Sequence, residues 1–197
     1  MFVLGLTGSI GMGKTTAANM FRRLGCPVHD ADRTVHDLLA PGGAAVSAIA
    51  RQFPGVLNEQ GGIDRQKLGA VVFGDDDALR RLEAILHPMV RAAEERFLKR
   101  ARARRQKLAV LDIPLLFETG GDKRCDAVAV VTAPLFMQRT RVLKRPGMTA
   151  EKFQNIRARQ MPEHEKMRRA RWVLKTGQGK LHTFRRIKNI VAFLEQG

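Results

Sequence analysis

The amino-acid sequence predicts an α/β protein in which helices flank a parallel β-sheet. Short apolar runs, such as Phe2–Thr7 and Ala127–Thr132, have the composition of strands buried on both faces of a sheet. A glycine-rich segment and then a helical pattern follow the first run directly. Residues 34–108 contain helical patterns and turn signals but no further convincing buried strand, which predicts a helical insertion between the sheet-forming runs.

The order of the predicted elements is consistent with this fold class. Strands are predicted over residues 2–7, 26–28, 108–113, 127–132 and 172–174. Helices are predicted over residues 15–24, from 135 to 143, over 149–170, and from about 180 onward. Gly25 ends the first helix, and Pro162 interrupts the third. His87-Pro88 is one of several turn signals predicted within the insertion.

Composition limits the class of protein. The 197 residues include 35 Lys and Arg against 19 Asp and Glu, a formal net charge of +16. This excess attracts polyanions such as nucleic acid, although a site that holds two anionic ligands would explain it equally well. No run approaches the roughly 18 apolar residues of a membrane helix. Cys26 and Cys125 have no metal-ligand spacing and predict no disulfide framework. We therefore expect one compact, soluble, cytoplasmic protein.

The glycine-rich segment is the clearest functional motif. Residues 8–15, Gly-Ser-Ile-Gly-Met-Gly-Lys-Thr, match the pattern G-x-x-x-x-G-K-[ST] without exception. Because the segment joins a buried strand to a helix, its backbone N–H groups can surround a phosphate. Lys14 is expected to reach the β and γ phosphates, and the Thr15 hydroxyl to bind Mg²⁺. The candidate ATP-binding residues are Gly8, Ser9, Ile10, Gly11, Met12, Gly13, Lys14, Thr15 and Thr16.

Further segments occur in a characteristic order along the chain. They are Val-His-Asp-Ala-Asp at 28–32, His-Pro at 87–88, Ile-Pro-Leu-Leu-Phe-Glu at 113–118, and Gln-Arg-Thr-Arg-Val-Leu-Lys-Arg at 138–145. With the phosphate loop, and over nearly the whole chain, they resemble the dephospho-CoA kinase family. The resemblance implies phosphoryl transfer from ATP to the ribose 3′-hydroxyl of dephospho-CoA, with Mg²⁺ as cofactor, in the final step of coenzyme A biosynthesis.

The resemblance also implies how the chain is divided. It implies a parallel sheet of the P-loop NTPase type with a helical substrate-binding insertion and a helical lid. The nucleotide-binding core would comprise residues 1–31, 108–135 and 162–197. Residues 32–107 would form the helical domain for the CoA moiety, and residues 136–161 the lid.

Several site residues are carried over from the family by position. Asp32 would act as the general base on the acceptor hydroxyl, since a carboxylate can orient that group and accept its proton. Arg141 and Arg145 would join Lys14 in catalysis, because the guanidinium fork stabilises charge on phosphate oxygens. Being four residues apart, the two arginines would share one face of a helix. The candidate substrate-binding residues are Asp32, Arg65, Phe73, His87, Pro114 and Glu118.

The chain departs from the family pattern near the carboxyl-terminal helix. Arg171 and Lys175 replace frequent acidic residues, and Thr176-Gly177 replaces the frequent Asn-Gly near adenine. The preference for ATP over GTP therefore stays open.

Two alternatives remain at this point. Another small P-loop kinase, acting on a nucleoside or nucleotide, would have a similar core and lid. A nucleic-acid-binding protein is suggested by the basic stretch 91–107, but Glu94 and Glu95 interrupt that stretch, so a solvated helix surface is favoured. We expect ATP and dephospho-CoA as partners, neither nucleic acid nor membrane, and a monomer.

Overall fold

The structure, a computed structural model, describes residues 1–196. Gly197, which the predicted core included, lies outside the described residues. The chain forms two compact units. The first comprises Met1–Asp30 and the chain from Leu98 onward, and the second comprises Ala31–Phe97.

The first unit is built on a parallel sheet, which confirms the predicted fold class. Within the described residues its strands are β1 (Phe2–Thr7), β2 (Val28–Asp30), β3 (Leu108–Asp112), β4 (Ala127–Thr132) and β5 (Trp172–Lys175). Their order across the sheet is β2-β3-β1-β4-β5, and every neighbouring pair is parallel. The central strand β1 therefore ends in the middle of the sheet's carboxyl edge, where ligands of open α/β sheets bind.

The first unit also contains five α-helices in addition to the end of a sixth, within the described residues. They are α1 (Lys14–Arg23), α6 (Leu135–Leu143), α7 (Ala150–Ala158), α8 (Glu163–Arg169) and α9 (Lys180–Gln196). Alternate residues of β4 lie in different hydrophobic clusters: Ala129 and Val131 pack with α1 and α9, whereas Val128 and Val130 pack with Leu116. Both faces of the sheet are thus buried, which explains why its strands read as continuous apolar runs.

One predicted strand was displaced along the sequence. We predicted residues 26–28, whereas β2 is Val28–Asp30. The Cys26 N–H donates to the Phe21 carbonyl at the end of α1, and Pro27 has no N–H to donate. Pairing with β3 therefore begins at Val28 rather than at Cys26. It continues through Asp30, which lies opposite Asp112.

The second unit is helical and has its own core. It contains α2 (Ala31–Leu39), α3 (Val46–Gln52), α4 (Arg65–Val72) and most of α5 (Asp76–Ala103), whose last six residues belong to the first unit. Its buried core includes Leu39, Ile49, Phe53, Leu68 and Leu82.

The turn predicted at His87-Pro88 was wrong, because Pro88 lies inside the 28-residue helix α5. A helix can tolerate an interior proline at the cost of one backbone hydrogen bond. The carbonyl that loses its donor belongs to Ala84, which is exposed, so water can reach it.

Among residues 1–196, none of the helices has the length and apolar character needed to cross a membrane.

Candidate active site

The phosphate loop connects the end of β1 to the start of α1. Gly11 and Gly13 have φ angles of 76° and 93°, in the left-handed region that favours glycine. Helix α1 begins at Lys14, directly after Gly13, and no side chain caps its first turn. The N–H groups of that turn therefore lack intrahelical partners and can donate to an anion.

Neighbouring elements hold the loop closely from two sides. A Cβ added at Gly8 would lie 2.3 Å from Val131 Cγ2 of β4, and one added at Gly11 would lie 2.5 Å from Val142 Cγ2 of α6. Only glycine fits at such separations. The motif glycines thus serve close packing of the loop as well as its curvature.

Lys14 and Asp112 form the charged centre of the site. Lys14 Nζ lies 2.7 Å from Asp112 Oδ1, and Asp112 is only 2% exposed at the end of β3. Burial raises the pKa of the Asp112 carboxyl, the Lys14 ammonium opposes that rise, and the Asp30 carboxylate adds to it. Sequence reasoning missed Asp112. Its position as the polar last residue of a buried strand could have revealed it.

Helix α6 brings Arg141 to the loop. Gln138 of this helix donates from Nε2 to the Ile10 carbonyl at 2.8 Å. Arg141 donates to the Gly11 carbonyl at 3.4 Å and to Thr176 Oγ1 at 3.1 Å. Arg141 therefore lies beside the phosphate loop and the segment that follows β5.

Arg145 does not share a helical face with Arg141, so that expectation was wrong. Helix α6 ends at Leu143, and Lys144 is its carboxyl cap. Pro146 explains the early end, because the residue before a proline disfavours helical geometry. Arg145 is exposed just beyond the helix.

Pro114 and Glu118 follow β3 within the first unit. The Pro114 carbonyl accepts a hydrogen bond from Thr7 Oγ1 at 2.8 Å. Glu118 Oε1 lies 2.8 Å from Lys166 Nζ and accepts from the Met161 N–H at 2.9 Å. One oxygen of Glu118 is thus engaged within the protein, and contact of either residue with a substrate stays a prediction.

The other predicted substrate residues belong to the second unit. Asp32 lies in the first turn of α2, two residues after the end of β2, and is exposed. Arg65 is the first residue of α4, and Phe73 is the carboxyl cap of that helix with 75% of its surface exposed. His87 is exposed on α5. Their roles toward a substrate stay predictions.

A cavity of about 610 Å³ adjoins the phosphate loop. Its lining includes Ser9 and Met12 of the loop, Gln138 of α6, and Arg157, Gln160 and Glu163 from the segment around α7 and α8. Its volume falls within the range of ordinary small-molecule sites.

The strand–loop–helix unit, the Lys14–Asp112 pair and the adjacent Arg141 lie together at the carboxyl edge of a parallel sheet. This arrangement defines the class of phosphate-loop kinases.

Comparison with known proteins identifies the family. The family model described as CoaE, dephospho-CoA kinase, matches residues 2–181. A dephospho-CoA kinase from Paramagnetospirillum magneticum is 63% identical over 166 residues, covering 84% of this chain and 78% of that protein. One from Rhodospirillum rubrum is 55% identical, covering 99% of this chain and 92% of that protein. A crystal structure of a Thermus thermophilus protein superposes on this chain with a TM-score of 0.85 at 37% identity. The match covers 98% of this chain and 97% of the Thermus chain. The chain belongs to the dephospho-CoA kinase family.

Proposed function

We propose that this kinase transfers the γ-phosphoryl group of ATP to the ribose 3′-hydroxyl of dephospho-CoA, giving CoA and ADP. This reaction is the final step of coenzyme A biosynthesis. The observation that carries the proposal is the phosphate loop with the Lys14–Asp112 pair at its helix, in a chain of this family. Cys26 and Cys125 are thiols rather than halves of a disulfide, which agrees with an enzyme of the reducing cytoplasm.

The donor phosphates would bind at the start of α1. Backbone N–H groups of the loop and of the first turn of α1 would donate to the phosphate oxygens. Lys14 would exchange part of its contact with Asp112 for the β and γ phosphates, since its ammonium group carries three donors. Arg141, which already lies against Gly11, would add positive charge near the phosphates.

The side chains present fit a magnesium ion. Thr15 follows Lys14 in the first turn of α1, and Asp112 supplies a buried carboxylate in contact with Lys14. Within residues 1–196 no group of three or more His, Cys, Asp or Glu could hold a metal ion by itself. Magnesium commonly takes one or two protein ligands and completes its shell with phosphate and water. Bound there, the ion would neutralise charge that develops on the transferring phosphoryl group.

The acceptor side of the proposal depends on Asp32. An exposed carboxylate in the first turn of α2 could accept a hydrogen bond from the 3′-hydroxyl and take its proton as phosphorus is transferred. Arg65, Phe73 and His87 are exposed on the same helical unit and could contact the CoA moiety. Arg145 would add a second guanidinium when a substrate is bound.

The test is ATP-dependent formation of CoA by the purified protein, with adenosine and AMP as competing acceptors. We expect dephospho-CoA to be the preferred acceptor and EDTA to abolish turnover. Activity on adenosine or AMP alone would assign the chain to another small kinase class instead. Salt-sensitive nucleic-acid binding without kinase activity would contradict the proposal altogether.

The role of Asp32 can be tested with a neutral variant. Asp32→Asn should lower kcat on the order of 100-fold or more while the Kd for ATP stays within a few-fold of wild type. Asp37→Asn is a matched control, because Asp37 is an exposed carboxylate of the same helix whose ion pair with Arg33 is a surface pair. Retained turnover in Asp32→Asn would remove this residue from the mechanism.

A further inference from the structure

A fully buried lysine lies beneath the phosphate loop. Lys166, in α8, has 0% of its surface exposed. Its Nζ lies 2.8 Å from Glu118 Oε1 and 3.5 Å from Ser9 Oγ. Ionised groups are almost never buried unless they are paired, because losing water costs several kcal/mol per ion. The position of this ammonium therefore requires an explanation beyond ordinary packing.

The contacts around Lys166 end on the phosphate loop. Ser9 Oγ donates to Glu163 Oε2 at 2.8 Å, so Ser9 contacts α8 through both Glu163 and Lys166. The next loop residue, Ile10, donates its N–H to Gln160 Oε1 at 3.2 Å. Two consecutive residues of the loop are thus held by side chains from a segment about 150 residues further along the chain.

Lys166 brings a positive charge that offsets part of the negative charge in this network. Glu118 and Glu163 each bring a carboxylate, and each has one buried oxygen without a hydrogen-bond partner among the described residues. Without the Lys166 ammonium, both carboxylates would remain in a region of low dielectric constant with less positive charge to stabilise them. Ser9, which contacts both Glu163 and Lys166, would be displaced as they rearranged.

Ser9 is the point from which the loop begins to turn. Its carbonyl accepts the Met12 N–H at 3.1 Å, which closes the first turn of the loop. Gly13 and the start of α1 follow immediately. A shift at Ser9 therefore moves the N–H groups that would surround a phosphate.

We propose that Lys166 is a positioning residue, which sets the conformation of the phosphate loop through Ser9 and thereby its affinity for the phosphates of a nucleotide. The inference rests on the proposed function, because it assumes that the loop binds ATP. It adds a residue that contacts neither substrate, nor metal, nor the reacting atoms.

The experiment compares two variants of α8 by isothermal titration with ATP and by steady-state kinetics. Lys166→Met should raise the Kd for ATP on the order of 10-fold or more, because small misplacements of a binding group are costly. The KM for dephospho-CoA should change less than the Kd for ATP, although some change is expected, because Lys166 also pairs with Glu118, a predicted substrate-binding residue. Lys166→Arg, which keeps the charge, should recover part of the loss. Arg169→Met is the matched control, since it breaks the 2.8 Å ion pair of α8 with Asp122 but leaves the Ser9 contacts intact.

Arg169→Met should lower thermal stability without changing the Kd for ATP. A double-mutant cycle adds a second criterion: if Lys166 acts through Ser9, the effects of Lys166→Met and Ser9→Ala on ATP binding should not add. A folded Lys166→Met protein with the wild-type Kd for ATP would overturn the inference. If Lys166→Met does not fold, Ser9→Ala decides, and its wild-type affinity would overturn the inference equally.

The outcome for wild type separates the two proposals. A folded wild-type protein that binds no ATP would refute the proposed function and, with it, this inference. Normal ATP binding by wild type together with unchanged binding by the variants refutes the positioning role alone.

Discussion

Gly8→Ala tests whether close packing against the sheet sets the geometry of the phosphate loop. The added Cβ would lie 2.3 Å from Val131 Cγ2 and 2.7 Å from the Val131 carbonyl oxygen. The side chain of Val131 could rotate, but its carbonyl belongs to β4, which lies between β1 and β5 in the sheet. The loop, rather than the sheet, must therefore move.

The size of the movement follows from these distances. Ordinary van der Waals contact begins near 3.4 Å, so the loop must retreat from the Val131 carbonyl by roughly 0.7 Å. Overpacking of this kind costs about 1–3 kcal/mol of stability. A displacement near 1 Å can lower catalytic efficiency about 100-fold. We therefore expect Gly8→Ala to lose most of its ATP affinity and on the order of 100-fold in kcat/KM.

Gly25→Ala provides a matched control for stability. Gly25 has a φ of 84°, and an added Cβ would meet no atom within 4 Å. The substitution should cost about 1–2 kcal/mol because alanine is disfavoured in the left-handed region. Both variants should thus melt at lower temperature than wild type, but only Gly8→Ala should lose ATP binding, measured by titration calorimetry and by ADP release. An ATP Kd for Gly8→Ala within 3-fold of wild type would refute this reasoning.

Two further predictions concern Asp112 and Cys26. Asp112→Asn should lower magnesium-dependent turnover on the order of 100-fold, yet its melting temperature at pH 7 should not fall below that of wild type. The reason is that burial raises the pKa of Asp112 in the folded protein. At a pH above the pKa that Asp112 has in the unfolded chain, the ionised carboxylate therefore lowers the stability of the folded state. A neutral amide avoids this cost. A large loss of stability with normal turnover would contradict both statements. Burial, with a contribution from Glu195, raises the pKa of Cys26 to about 11, so its thiolate fraction at pH 7.5 should be about 0.03%. Iodoacetamide should modify native Cys26 far more slowly than the same cysteine in urea, as followed by peptide mass spectrometry, and equal rates would contradict the burial argument.

Much of the fold was predictable because the information is local. Strand β4 was predicted with its observed bounds, and α1 and β3 to within a residue at each end, since buried parallel strands and amphipathic helices have distinct periodicities. The wrong predictions concerned features that depend on the surrounding secondary structure rather than on a few adjacent residues. The start of β2 depends on pairing with β3, and the continuation of α5 past Pro88 depends on the helix on both sides of it.

The sequence by itself determined the phosphate loop and the family, because the loop's function requires particular residues at adjacent positions, which a pattern can capture. Tertiary structure alone decided which distant side chains support that loop. Lys14 and Asp112 are 98 positions apart, and Ser9 and Lys166 are 157 apart. Such pairs leave no mark in local periodicity, because only packing of the sheet, α1 and α8 brings them within hydrogen-bond distance. A buried ammonium and a buried carboxylate beside a phosphate site are recognised only when their burial and partners are known.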